Sequence, residues 1–178
     1  MKTQHENLSS NIVLIGYRGC GKTTIAKELA ALTGKQYVDT DDIISQRVGK
    51  TIAEIFADEG ESRFRQYESN IITELAKQPP KILSVGGGAI LDPQNVANLQ
   101  TIGVIIWLQA TVEVLRKRMK QHEATSTDRP ALRGGNPFEE IADLLAERSP
   151  LYENAATHII DSTNLSPTAI AKRIIEWV

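Results

Sequence analysis

The chain has 178 residues, of which 41% are hydrophobic and 24% charged, with a formal net charge of −2. That balance describes one soluble globular domain large enough for a proper core. It offers no electrostatic support for nucleic-acid binding, no apolar run approaches the roughly 20 residues of a membrane span, and the single cysteine, Cys20, excludes an internal disulfide.

Residues 1–10 are polar and lack the apolar core of a signal peptide. They read as a disordered tail before a single domain at 11–178, and the expected location is the cytoplasm. Asn11–Ile15 is an apolar run that reads as a strand. Gly16-Tyr17-Arg18-Gly19-Cys20-Gly21-Lys22-Thr23-Thr24 follows it, and helical periodicity begins there. Strand, Gly, four residues, Gly-Lys-Thr and helix make the P-loop pattern. The glycines let backbone approach phosphate oxygens, and the N–H groups of the turn and helix N-terminus point at the anion. Lys22 brings positive charge to the outer phosphates, and the Thr23 hydroxyl can ligate magnesium. Cys20 reads as a small side chain that fits the turn, or else as a modifiable thiol. The motif implies a nucleoside triphosphate and is silent on the acceptor.

Further strands are expected at Gln36–Asp39, Ile82–Val85, Val104–Leu108 and His158–Ile160. Between them, helix faces are marked by Ile25, Leu29 and Leu32, by Phe64, Tyr67, Ile71 and Leu75, and by Val112, Leu115 and Met119. Ile141, Leu144, Leu145 and Leu151 mark another, and Ile170, Ile174 and Val178 the last. Strand–helix alternation argues for an α/β fold with a parallel sheet covered on both faces. Ligands then sit at the carboxyl ends of the strands. Two stretches break the alternation. Ile43 to Phe64 reads as short helical pieces beside the sheet, so that about 43–77 is an acceptor-binding region. Gln121 to Pro137 is polar and rich in Thr, Arg and Gly, and the region 119–137 is expected to form a lid over the phosphates, with a disordered surface loop as the alternative.

Strand two ends in Asp39-Thr40-Asp41-Asp42. In extended geometry Asp39 and Asp41 point the same way. One carboxylate can hold magnesium, and the other can accept a substrate hydroxyl and its proton. A helix N-cap cluster formed by Asp41 or Asp42 is the alternative. Strand three ends in Gly86-Gly87-Gly88, where either backbone approaches a ligand or the chain turns tightly. Arg65 and Glu68 lie three apart on a helix. They form a surface ion pair, or Arg65 is a fork for an acceptor carboxylate with Glu68 holding it. Arg129, in the lid region, can stabilise charge on a transferring phosphoryl group, and Arg148 faces the same cavity if its helix packs as expected. For each, a solvated charge is the alternative. His5, His122 and His158 show no metal-ligand spacing, and Trp107 and Trp177 read as packing residues.

In order, GYRGCGKTT, DTDDII, GESRFRQYE, SVGGGAIL, DRPAL and ERSPLYE resemble the motifs of the shikimate kinase family, over nearly the whole chain. The resemblance implies a three-layer P-loop fold with a five-stranded parallel sheet in the order 2-3-1-4-5, an acceptor-binding helical excursion and a lid. It implies transfer of the ATP γ-phosphoryl group to the 3-hydroxyl of shikimate, on the route to chorismate and the aromatic amino acids. One Mg2+ ion would accompany ATP, held by Thr23 and Asp39. Gly19, Cys20, Gly21, Lys22, Thr23, Thr24, Arg118, Arg129 and Pro167 would contact the nucleotide, with Arg118 stacking on adenine. Asp41, Arg65, Gly86, Gly87, Gly88 and Arg148 would hold shikimate; Lys22, Asp41 and Arg129 would be catalytic. Leu165 stands in the adenine loop where the family often has a basic residue. A monomer with no nucleic-acid or membrane partner is expected. The competing readings are a kinase for gluconate and a nucleotide-binding regulator that no longer turns over.

Overall fold

The computed structural model describes residues 10–123 and 138–178. Strand β1 (Asn11–Ile15) is buried at every position, as a strand must be when helices cover both faces of a sheet. Helix α1 (Lys22–Thr33) follows the P-loop. Strand β2 (Tyr37–Asp39) leads directly into helix α2 (Thr40–Val48), and helix α3 spans Ile52–Leu75. Strand β3 (Ile82–Ser84), a 3-10 turn at Ala89–Leu91 and helix α4 (Pro93–Ile102) come next. Strand β4 (Gly103–Gln109), helices α5 (Val112–Glu123) and α6 (Ile141–Ala155), strand β5 (His158–Asp161) and helix α7 (Pro167–Ile175) complete the described chain. The five strands form one parallel sheet in the order β2-β3-β1-β4-β5, as the family resemblance implies.

Alternation along β1 and β4 feeds two cores. Ile12, Leu14, Ile106 and Leu108 pack under Leu29 of α1 and Ile170 and Ile174 of α7. Val13, Ile15, Ile105 and Trp107 pack on the opposite face with Ile55, Phe64 and Ile72 of α3 and Tyr152 of α6. Trp107 is a core residue stacked on Tyr152, and Trp177 stacks on His158 at the C-terminal end.

Three local features differ from the sequence expectations. Helix α4 has no counterpart among the helix faces read from the chain, although Asp92 caps it through the Gln94 amide and Pro93 opens it. The expected run of helical pieces begins at Thr40 rather than Ile43: α2 comes first, and α3 then breaks at Gly60, where φ is 81° and ψ is 166°. Residues 119–123 of the expected lid belong to the last turns of α5. Met119 there is buried against the core.

The break at Gly60 turns the first part of α3 away from the second, and it sits in a backbone region that essentially only glycine enters. A Cβ there would meet nothing within 4 Å, so a substitution is opposed by conformation alone. Gly60→Ala is expected to lower stability by about 1–3 kcal/mol, read as a lower urea midpoint at unchanged m-value.

Candidate active site

The P-loop runs from the end of β1 into α1. Gly16, Gly19 and Gly21 have φ of 138°, 82° and 104°, and a Cβ on Gly16 would lie 2.5 Å from the Leu108 carbonyl oxygen. Gly21 caps α1 in a left-handed conformation with no side-chain acceptor, and no acidic residue occupies the first turn. The helix N-terminus therefore presents its amides to an anion without an internal competitor. Lys22 is buried, and its Nζ donates to the Gly16 and Tyr17 carbonyls at 2.8 and 3.2 Å. Thr24 lies exposed on the first turn of α1. Cys20 is a buried free cysteine tucked beneath the loop, its Sγ 2.9 Å from the position a Gly16 Cβ would take. That is the packing role of a small side chain.

Asp39 joins this loop to its neighbours. Its Oδ2 accepts from the Thr23 hydroxyl at 2.8 Å and from the Ser84 hydroxyl at 2.9 Å, and its Oδ1 accepts from the Asp41 amide at 3.1 Å. The last bond makes Asp39 the N-cap of α2. The expected extended geometry through residue 41 is thus corrected: the helix begins at Thr40, and neither Asp41 nor Asp42 is its cap. Asp41 reaches the cleft from the first helical turn instead. The donor set of Thr23 and Asp39 is a hydroxyl and a carboxylate, hard oxygens of the kind Mg2+ takes alongside phosphates and water.

A cleft of about 500 Å³ opens beside the P-loop, lined by Arg18, Asp41, Arg65, Glu68, Gly86, Gly87, Gly88 and Arg148, with Ile52, Phe56 and Phe64 as its apolar wall. Arg65 is held on three donors: Nη1 to Glu68 Oε2 at 2.8 Å, Nη2 to Glu61 at 2.9 Å and Nε to Glu61 at 3.2 Å. This pair is not a solvated surface pair, since Glu68 is fully buried. Burial pushes the Glu68 carboxyl up to about 7, with Arg65 opposing the shift and the Asp41 charge adding to it. Arg148 is buried on α6. One turn further along α6, Tyr152 donates its hydroxyl to the Gly87 carbonyl at 2.5 Å, and burial holds its phenol well above the ordinary range.

The three glycines leave room mainly for the protein's own side chains. A Cβ on Gly86 would overlap Glu68 Oε1, and one on Gly88 would overlap the Arg65 guanidinium. Gly87 packs against the P-loop, where a Cβ would lie 3.3 Å from the Gly16 carbonyl oxygen. None of the three has a positive φ, so space decides their identity.

At the other rim, Arg118 of α5 donates to the Cys20 carbonyl at 3.3 Å, to Ser162 Oγ at 3.2 Å and to the Ser162 carbonyl at 2.7 Å. These bonds fix the plane of its guanidinium beside the P-loop and the loop after β5. Pro167 opens α7 behind the Ser166 N-cap and is exposed. Arg129 lies outside the described residues. Among the described residues the structure brings Lys22, Thr23, Asp39, Asp41, Arg65, Arg148 and the glycine turn to one strand edge, with Arg118 at its far side. Sequence reasoning gave no role to Arg18, Ser84, Tyr152 or Ser162. The Tyr of ERSPLYE was a visible signal, whereas Ser84 and Ser162 carry no spacing that marks them.

A phosphate cradle at the end of β1, facing a cleft of carboxylates and guanidinium groups, defines a P-loop phosphotransferase. A family model described as shikimate kinase matches residues 18–178. The shikimate kinase of Thermodesulfovibrio yellowstonii is 41% identical over 166 residues, covering 93% of each chain. That of Nitrosomonas europaea is 39% identical over 170 residues, covering 96% of this chain and 79% of the relative. The solved structure of a shikimate kinase from Acinetobacter baumannii in complex with shikimate superposes with a TM-score of 0.88 at 34% identity, over 96% of this chain and 93% of that one. The chain belongs to the shikimate kinase family.

Tyr152 ties α6, and with it Arg148, to the glycine turn. Tyr152→Phe leaves the Gly87 carbonyl without this donor in a buried place and is expected to lower stability by about 1–3 kcal/mol, measured by urea denaturation.

Proposed function

We propose that this chain transfers the γ-phosphoryl group of ATP to the 3-hydroxyl of shikimate, giving shikimate 3-phosphate and ADP, a step towards chorismate and the aromatic amino acids. The observation that carries this reading is the meeting of Asp41, Arg65 and Arg148 with the P-loop in one cleft, in a chain of this family. Shikimate has one carboxylate, several hydroxyls and an apolar ring edge. Two guanidinium groups suit the carboxylate as charge-assisted donors, Asp41 suits a hydroxyl, and the Ile52–Phe56–Phe64 wall suits the ring.

In this reading Lys22 and the α1 N-terminus hold the outer phosphates. Thr23 and Asp39 hold one Mg2+ ion, which when bound neutralises phosphate charge. Gly19, Cys20, Gly21 and Thr24 belong to the cradle. Arg118 stacks on the adenine, and Pro167 borders it. Asp41 orients the 3-hydroxyl in line with the γ-phosphorus and accepts its proton. Arg65 and Arg148 grip the carboxylate, with the Gly86, Gly87 and Gly88 backbone beside the ring hydroxyls. Arg129, in the lid expected after α5, would close over the phosphates. The reading includes a single domain acting as a monomer in the cytoplasm; no helix among the described residues is long and apolar enough to cross a membrane.

Coupled ADP-release assays with shikimate, quinate and gluconate test the acceptor. Turnover with shikimate is expected, and turnover with gluconate alone, or with none of the three, would overturn the reading. Arg65→Ala removes a charge-assisted contact of roughly 1.5–3 kcal/mol, so the KM for shikimate should rise about tenfold to a hundredfold while the KM for ATP changes little. Asp41→Asn should depress kcat with ATP binding retained, and unchanged turnover would take Asp41 out of the chemistry.

A further inference from the structure

Glu68 is fully buried in the wall of the cleft. Its Oε2 accepts from Arg65, but its Oε1 is buried and has no hydrogen-bond partner among the described residues. That oxygen fills the space where a Cβ on Gly86 would be, and Asp41 Oδ1 lies 3.0 Å from the same point. Two carboxyl groups therefore share one small volume. Two carboxylates brought this close repel each other, which favours retention of a proton on one of them.

The charges around Glu68 come from every neighbouring element. Arg65 lies on its own helix and is shared with the half-exposed Glu61. Asp41 faces it from α2 and Arg148 from α6, both acting on its ionisation. Arg18 lines the P-loop side of the same cleft, 3.8 Å from buried Glu140. With both carboxyls ionised, Asp41, Glu68, Arg65 and Arg148 sum to zero. An acceptor bearing a carboxylate adds one negative charge and draws on Arg65, the cation that holds Glu68. Leaving a buried carboxylate without its cation is strongly unfavourable, and neutralisation by a proton is the less costly outcome.

We propose that Glu68 takes up a proton as the acceptor binds, so that Arg65 turns its charge to the acceptor carboxylate while the cleft stays neutral. Glu68 is then a positioning residue that couples acceptor affinity to pH. This rests on the shikimate reading above. The proton comes from solvent and only an O–H bond forms, so the step is separate from phosphoryl transfer and needs no nucleotide.

The sign follows from linkage. In the free protein the Glu68 carboxyl titrates at about 7, and an acceptor anion beside it raises that value. At pH about 6 most molecules already hold the proton, and at pH about 8 most must acquire it on binding. Acceptor affinity should therefore weaken as pH rises between these limits, by up to about tenfold.

Isothermal titration calorimetry of shikimate into the full chain, in HEPES and in Tris at pH about 8 and in MES and in histidine at pH about 6, reads the protons directly because the two buffers of each pair differ in ionisation enthalpy. The expected result is uptake of about half to one proton per shikimate at pH about 8, falling to a small fraction at pH about 6. Glu68→Gln, which imitates the neutral carboxyl, should still bind shikimate within about tenfold of wild type, with heats independent of the buffer. Equal wild-type heats in both buffers at pH about 8 would overturn the proposal, as would buffer dependence that survives in Glu68→Gln. If that variant fails to fold, the wild-type pH series alone decides. Absence of any shikimate heat in the wild type would instead remove the acceptor reading, and this proposal with it.

Discussion

The carboxylate of Asp39 is the point on which the site depends. It takes hydrogen bonds from Thr23 at the start of α1, from Ser84 at the end of β3 and from the amide of Asp41 at the start of α2. Only the order β2-β3-β1 makes this possible, because parallel neighbours end at the same edge and their following turns become adjacent. The bond that holds the Thr23 hydroxyl and the bond that starts α2 belong to one side chain. Donor and acceptor halves are thereby set in a common frame, and Asp41 points where it does because Asp39 has capped its helix.

Within that frame the acceptor cleft is an electrostatic problem before it is a shape. Glu68 and Arg148 are buried and Arg65 largely so. Burying such charges is at best a weak source of stability, since desolvation offsets much of their attraction. What they secure is direction: Arg65 is held by two carboxylates, so its guanidinium is already ordered in the cleft. Buried Glu68 is thus better understood through what it does to Arg65 than through what it adds to folding.

Much of the fold was legible because its signals are local and periodic. The five strands and the P-loop are where the apolar runs and glycines indicate, and the apolar faces of α1 and α7 do bury as their spacing requires. The placement of side chains was legible where the motif is local, as with Lys22 on the P-loop carbonyls and Thr23 beside Asp39. It was less so where a tertiary neighbour decides. Arg65 and Glu68 look like a surface pair until α3 is packed under the glycine turn, and Asp39 and Asp41 look extended until the cap forms. Helix α4 was missed because its apolar face is short and broken by polar residues, although Asp92-Pro93 announces its start. Ser84 and Ser162 act through single hydroxyls placed by strand register, which no spacing rule reveals.

The glycine turn shows how the two halves differ in kind. The P-loop glycines are required by backbone conformation, so the motif can be read from the chain alone. Gly86 and Gly88 carry ordinary backbone angles and are small because Glu68 and Arg65 occupy the space their side chains would fill. A methyl group at either place would meet the ion pair before it met any ligand. The shape of this half of the cleft is therefore a packing property of α3 against the turn after β3. It rests on the joint fit of one helix and one loop, and the charge that the pair presents to the cleft follows from that fit.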